Sequence, residues 1–593
     1  MPPILSPNAR EARQPQMVLN QENGLFDLNE SHCFAKVKAM LNPQTFHLPP
    51  ALAASCDAIL DDFAKAQTIG RIWQRDPSVW TSSGEDRWLG WLDIAGRELS
   101  DLTRYHDIAA LAKGFDHVVV LGMGGSSLCP EVIASTFGKK NFHILDSTVP
   151  AQILRLERSI TLAKTLFIVA SKSGSTLEPN TFKEYFFSRV SELVPAGEVG
   201  SRFIAITDPG SLTEKVAARD GFARTFLGDP EIGGRFSALS VFGLAAAAAM
   251  GIDVEVFLQN AELMTSACRR EAPVENPGAM LGAVMAAAHR AGRDKLTVLA
   301  SPELSGFGAW LEQLVAESIG KNGVSIIPIE SEPVADVYGE DRLFVHIKMI
   351  GSRDTSRDSF VEALESQGHP VATILVSDTL SIGQEFFRWE FATAVAGAAM
   401  GVNPFDQPDV EAAKIATRKL TEEFERSGEL PSESPILSSD GISIFSGETY
   451  AHATSLEASL LEHIYRVNQN DYFAILAYLE MSPENQILLQ KMRQSVLKRT
   501  GAATTAGFGP RFLHSTGQAH KGGANNGVFL MLTADDTEDI AVPGRRYSFA
   551  TVKDAQARGD FEVLAQRGRR VIHLHLSGDL TRQLERITDI LKK

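Results

Sequence analysis

Gln313 and Glu317 lie four residues apart in the run Trp310-Leu-Glu-Gln-Leu-Val-Ala-Glu-Ser-Ile-Gly-Lys-Asn-Gly323. Leu311, Leu314, Val315 and Ser318 recur at helical spacing and form one inward face, and Gln313 and Glu317 share another. Gly320 and Gly323 end the helix, so Glu317 falls in its last turn. That end of a helix is electrostatically negative, a setting that resists an ionised carboxyl and suits a general base.

Three glycine- or serine-rich turns could surround such a base. Gly122-Met-Gly-Gly-Ser-Ser127 follows an apolar run, and its glycines let backbone amides approach a ligand. It lacks the third glycine and the acidic residue of a dinucleotide fingerprint. Ser171-Lys-Ser-Gly-Ser-Thr176 holds four hydroxyls in six residues, more than helix capping needs. Hydroxyls and amides at a helix start make an anion nest, and Ser175 or Thr176 would cap that helix with Glu178 in its first turn. The Gly-Lys-Ser/Thr order of a nucleotide-hydrolysing loop is missing. Gly233-Gly-Arg-Phe-Ser237 sets Arg235 between a glycine turn and an apolar helix, where a fixed guanidinium could face an oxyanion.

Two later stretches add candidates. Gln407 and Lys414, in Phe405-Asp-Gln-Pro-Asp-Val-Glu-Ala-Ala-Lys414, are two helical turns apart on one face. His514 opens the loop His514-Ser-Thr-Gly-Gln-Ala-His-Lys-Gly-Gly523, where a histidine suits proton transfer near neutrality. His573 and His575 share one face of a predicted strand, but no third ligand is near and they read as structural. No metal site and no cofactor are expected.

The elements that must position these groups form an α/β pattern. Apolar β-branched runs predict strands at residues 117–122, 141–145, 165–170 and 202–207, with a helix from near Pro130 and another over 237–250. A second set follows at 295–300, 324–329, 343–350 and 371–376, with a long helix over 383–399. Alternating strands and helices imply parallel, doubly wound sheets. Residues 1–24 are polar and proline-bearing. Residues 32–112 read as helical, with Trp73, Trp80, Trp88 and Trp91 clustered for packing. Residues 427–449 are rich in Ser, Gly, Glu and Pro and read as a linker. Beyond them, strands are predicted at 472–478, 528–533 and 570–576 and helices at 484–499 and 580–592.

The 593 residues suggest roughly three to five domains. No apolar run approaches the roughly 18 residues of a membrane span, and no signal-peptide pattern opens the chain. Cys33, Cys56, Cys129 and Cys268 are too scattered for a disulfide framework or a zinc site, which favours a reducing cytoplasm. A net charge of −16 without a basic stripe argues against nucleic-acid binding, and an anionic substrate would need a local cationic pocket.

Five motifs now stand in one order: Gly-Gly-Ser, Ser-Lys-Ser-x-x-Thr, Gly-Gly-Arg-Phe-Ser, Gln-x-x-x-Glu-Ser-x-Gly-Lys and Phe-Asp-Gln-x-x-Val-Glu-x-x-Lys. In kind and order, over residues 115–415, they resemble the glucose-6-phosphate isomerases. The resemblance implies an α/β protein of two doubly wound sugar-isomerase (SIS) domains with parallel sheets, at 113–290 and 291–426. These would follow a tail and helical segment at 1–112 and precede a C-terminal α/β region at 427–593. It implies interconversion of glucose 6-phosphate and fructose 6-phosphate through a cis-enediolate, in glycolysis and gluconeogenesis. Ser171, Lys172, Ser173 and Thr176, with Gln313, would hold the phosphate. Gly124, Gly125 and Ser126 would line the sugar. Glu317 would move the proton between C2 and C1, Arg235 would steady the enediolate, and Gln407 and Lys414 would border the ring-opening site. A non-catalytic SIS-domain sensor of sugar phosphates, or an isomerase of another phosphosugar, is the alternative.

The pattern departs from the family at one point. Most members carry a ring-opening histidine between the glutamate and lysine motifs, and residues 327–343 hold none. His346 and His369 lack the family's context. His514 fits best, because His-Ser-x-x-Gln resembles the family's histidine motif, yet it comes after Lys414. The family's histidine belongs to the neighbouring subunit of a dimer, so His514 would act within its own chain or across a homodimer. The Trp-rich part and the C-terminal loop resemble the isomerase half of bacterial transaldolase/glucose-6-phosphate isomerase fusions. A transaldolase barrel of about 250 residues has no room here, so a separate transaldolase is a candidate partner.

Overall fold

Strands His117–Gly122, Thr165–Ala170 and Phe203–Thr207 are covered on both faces, which is why they read as unbroken apolar runs. The computed structural model describes residues 40–447 and 454–593. The expected tail at 1–24 and Cys33 lie outside the described residues.

Three sheets follow one plan. In the first, the strands Phe142–Leu145, His117–Gly122, Thr165–Ala170, Phe203–Thr207 and Arg224–Leu227 lie side by side in that order, all parallel. In the second, Ile327–Ile329, Lys295–Ala300, Arg342–Met349 and Val371–Val376 are parallel neighbours, and Gln44–His47 adds an antiparallel edge. The third places Ala503–Phe508, Tyr472–Tyr478, Gly527–Ala534 and Arg570–Leu576 in parallel, with the antiparallel hairpin Leu437–Ser439 and Ile442–Ser446 beside the last. Numbered within each sheet, the parallel strands run 2-1-3-4, and in the first sheet a fifth follows. This order reverses direction between strands 1 and 3, and ligands bind doubly wound sheets at that point. The C-terminal region is therefore a third doubly wound domain.

Two expectations need correction. The segment read as helical at 32–112 contains the strand Gln44–His47, recruited by the exposed edge of Val371–Val376. The stretch read as a linker at 427–449 contains the hairpin, so the third domain begins inside it.

The tryptophans do pack. Trp73 stacks on Phe387 and Phe391, and Trp91 meets Phe236 at 5.1 Å between ring centres. Phe236 lies 5.1 Å from Phe405, and Phe405 lies 5.3 Å from Trp80. The cluster thus braces the backbone beside Arg235 and Gln407.

Candidate active site

The turns after strands 1 and 3 of the first domain carry two of the motifs. Gly124 has φ +55°, and a Cβ there would fall 2.7 Å from Gln313 Nε2 and 3.1 Å from the His514 carbonyl oxygen. At Gly125 a Cβ would come within 1.9 Å of the Gly234 carbonyl oxygen. Only glycines let the first-domain turn, the Arg235 turn, the Glu317 helix and the His514 segment touch. Ser126 is half-buried beside them.

Ser171-Lys-Ser-Gly-Ser-Thr176 opens the helix Leu177–Ser191. Ser173 and Ser175 are exposed with their hydroxyls 2.9 Å apart, and Ser171 Oγ lies 3.4 Å from Thr176 Oγ1. Gly174 has φ +69°, and a Cβ there would press within 2.7 Å of the Thr213 amide nitrogen. The result is a cluster of hydroxyls at the positive end of a 15-residue helix, suited to a phosphate. Lys172 is not part of it. Its ammonium lies 2.5 Å from Asp208 Oδ2 and donates to the Asp229 carbonyl (3.0 Å).

Arg235 is 3% exposed and all five of its N–H groups have acceptors. Nε donates to Ser318 Oγ (2.8 Å), and Nη2 donates to the carbonyls of Pro404 (2.7 Å) and Asp406 (2.8 Å). Nη1 donates to Gln407 Oε1 (2.9 Å) and lies 3.2 Å from Glu317 Oε1. Burial draws the guanidinium below its ordinary pKa, with Glu317 and Asp406 acting the other way. Lys321, from the same motif as Glu317, pins this loop by donating to the Asn403 carbonyl (2.7 Å), the Asp406 carbonyl (2.5 Å) and Asp406 Oδ1 (2.7 Å). Burial, and the charge of Arg235, bring its pKa down to about 8.

Glu317 is 7% exposed, at the end of the helix Phe307–Ile319. Gln313 Nε2 donates both to Glu317 Oε2 (3.1 Å) and to the His514 carbonyl (2.9 Å). Gln313 keeps its own amide oxygen for a further donor, since that buried atom has no partner among the described residues. An amide oxygen repels phosphate and suits a sugar hydroxyl, so the phosphate role expected of Gln313 does not fit its orientation.

His514 arrives from the third domain, in the turn Arg511–His514 after the strand Ala503–Phe508. Arg511 anchors that turn on Asp146 (2.7 Å) and Glu131 (2.7 Å) of the first domain. His514 Nε2 lies 3.0 Å from Glu178 Oε1, in the first turn of the phosphate-nest helix. Burial pushes the Glu178 carboxyl up, but His514, its own backbone amide and Lys414 together bring it below its ordinary pKa. Lys414 itself stays half-exposed at the rim, 4.0 Å from Glu411, and Gln407 is exposed beside Arg235.

His346 lies in the strand Arg342–Met349, and His369 packs edge-on against Phe344. His573 and His575 both contact Thr533 Oγ1, at 2.8 and 2.9 Å. The sequence presents Glu178 only as a helix-start residue, two positions beyond the serine motif, whereas Lys321 closes the motif that holds Glu317. Gln556, which also reaches Glu178, carried no sequence signal.

The family model described as "Phosphoglucose isomerase" matches residues 105–340. A "Glucose-6-phosphate isomerase" of Rubrobacter xylanophilus is 30% identical over 361 residues, which span 52% of this chain and 82% of that protein. The chain belongs to the phosphoglucose isomerase family. A second member, a "Glucose-6-phosphate isomerase" of Thermus thermophilus, is 29% identical over 380 residues, 56% of this chain and 90% of its own. A crystal structure of a hypothetical protein, also from Thermus thermophilus, shares the fold, with a TM-score of 0.54 at 23% identity over 63% of this chain and 99% of that one. The phosphoglucose isomerase match ends before Gln407, Lys414 and His514, so these three rest on the motif resemblance and on geometry.

Proposed function

We infer that the chain is an aldose–ketose isomerase that interconverts glucose 6-phosphate and fructose 6-phosphate without a metal. Ser171, Ser173 and Thr176, with the helix amides behind them, receive the phosphate. His514, oriented by Glu178, donates a proton to the ring oxygen as the C1–O5 bond breaks, and the proton leaving the anomeric hydroxyl passes to solvent. Glu317 then takes the C2 proton and returns it to C1, while the hydroxyl proton on O2 is given up and one is gained on O1. As Glu317 becomes neutral, the negative charge moves to the enediolate. Arg235, with its donors already engaged, serves both states as a fixed positive charge that needs no reorganisation. Gly124, Gly125 and Ser126 line the sugar, and Lys414 contributes long-range charge at the rim.

The observation that carries this reading is the Gln313 amide, which ties the base to the segment bearing the acid. Glu317→Gln should lower kcat by about 10²–10⁴-fold, the usual value of a general base, and leave sugar-phosphate binding intact by calorimetry. Ordinary turnover in that variant would refute the assignment.

Every group named here belongs to one chain, so a homodimer would not be needed to complete the site. Buried free thiols at Cys56, Cys129 and Cys268 support a reducing, cytoplasmic setting. A separate transaldolase partner remains part of the proposal on the motif resemblance.

A further inference from the structure

Gln556 belongs to the third domain, on the helix Phe549–Gln566, and is 2% exposed. Its amide oxygen accepts from the Thr148 hydroxyl (2.7 Å), and its amide nitrogen donates to Glu178 Oε1 (2.6 Å). Thr148 is fully buried and follows the strand Phe142–Leu145. The Glu178 carboxylate can only accept, so the Gln556 amide turns its N–H groups toward it, and the Thr148 hydroxyl, donating to the amide oxygen, holds it there. Glu178 Oε1 is the same oxygen that His514 Nε2 approaches. One carboxylate oxygen therefore joins two third-domain side chains.

A buried carboxylate is costly unless its oxygens are hydrogen-bonded. With the histidine as its only side-chain partner, the carboxylate could swing with the ring. A second donor on a rigid mount removes that freedom. The mount is rigid: the Gln556 helix is closed by a Ser548–Thr551 capping box and packs along the helix Pro408–Ser427.

We propose that Gln556 is a positioning residue of the isomerase site, locking Glu178 and through it the His514 ring in the orientation that delivers a proton to the sugar. Gln556 does not need to touch substrate. It lies outside residues 105–340, the segment matched by the family model. The third domain thus brings its histidine together with the device that aims it. The inference rests on the isomerase reading above.

The test uses Gln556→Met in the full chain, which keeps the volume and removes both polar contacts. Steady-state rates are measured from ring-closed glucose 6-phosphate and from an open-chain analogue that cannot close a ring through its 5-hydroxyl. Both are repeated in a His514→Ala background. The kcat from the ring-closed sugar should fall about 10- to 100-fold, the usual size for a group that orients a functional side chain. KM should move little, and the open-chain rate should stay near wild type. In the His514→Ala background the same substitution should cost nothing further, because the two residues act as a unit. Equal loss on both substrates, an additive loss in both backgrounds, or wild-type turnover of the ring-closed sugar would each overturn the inference. If Gln556→Met fails to fold, Thr148→Val frees the amide orientation and should give the same pattern at smaller size. Wild-type protein without isomerase activity would sink the isomerase reading itself. An active wild type with an unimpaired Gln556→Met would sink this inference alone.

Discussion

His514 Nε2 lies 3.0 Å from Glu178 Oε1, although 336 positions separate the two along the chain. Glu178 sits below its ordinary pKa once the His514 charge is set against burial, so near neutrality it is a carboxylate and can only accept. The imidazole must then donate its Nε2 hydrogen there, which leaves Nδ1 to exchange a proton with substrate. Glu178→Gln removes both the charge and the enforced tautomer. Its kcat/KM on ring-closed glucose 6-phosphate should fall by about 10²-fold or more, as when a histidine loses its carboxylate partner, while inorganic phosphate inhibits as before. Unchanged kinetics would mean that His514 is not the ring-opening group.

The same contact closes the site within one chain. Glu317→Gln and His514→Ala chains, each reduced to residual turnover of the ring-closed sugar, should rise no further when co-expressed or refolded together. Had the histidine come from a partner, a mixture would regain about a quarter of wild-type activity, since half the dimers would be hybrids with one intact site of two. Recovery near that level would show that chains exchange their third domains.

Lys172 illustrates a role that moves once its neighbours are known. Its ammonium is engaged by Asp208 and the Asp229 carbonyl, behind the phosphate nest. Lys172→Met should therefore lower stability by about 1–3 kcal/mol, the cost of leaving a half-buried partner unpaired, with less than a threefold change in KM. Thr176→Val should do the reverse, raising KM with little change in melting temperature. A large KM effect at Lys172 would return it to the substrate.

Much of this architecture was legible in the chain because parallel strands covered on both faces read as continuous apolar runs. His117–Gly122, Thr165–Ala170, Lys295–Ala300 and Tyr472–Tyr478 are such strands. Ala503–Phe508 escaped because an edge strand needs only one good neighbour, and Thr504, Thr505 and Gly507 make it look like a loop. The hairpin at 437–446 had a signal that was passed over. Asp440-Gly441 are both at positive φ, +52° and +79°, as a two-residue hairpin turn requires. Motif resemblance picked out Glu317, Arg235, His514 and the serine turn as candidates, and the fold brings them together. Resemblance could not reveal Glu178 as the partner of His514, or Gln556 behind it, because those contacts exist only after the first and third domains meet.

Three buried histidines make the third domain sensitive to acid. Burial, with nearby cations, brings His463, His520 and His573 from the usual 6.5 to about 3. The unfolded chain takes up these protons below about 6.5 while the folded chain does not until about 3. Stability therefore falls as pH is lowered through that window, by about 1.4 kcal/mol per pH unit for each histidine. Melting temperature should drop steeply between pH 6.5 and 5, and His573→Gln should flatten the slope by about a third. A slope the substitution leaves intact would assign the acid lability elsewhere.

Lys321 sets the expected behaviour at the alkaline end, where activity and stability part. Its pKa of about 8 lies below the usual 10.5, so between those values the unfolded chain binds the extra proton. By linkage its contribution to stability rises with pH in that window. The neutral amine, however, has two N–H groups for the three acceptors it now holds on Asn403 and Asp406. The loop that fixes Arg235 and Gln407 should loosen, and kcat should decline above about pH 8 while the melting temperature does not. Lys321→Met, which removes the titrating group, should be less active at pH 7 and should lack that limb. A limb near pH 8 that survives the substitution would mean that another group titrates, and that the Lys321 clamp does not govern the site.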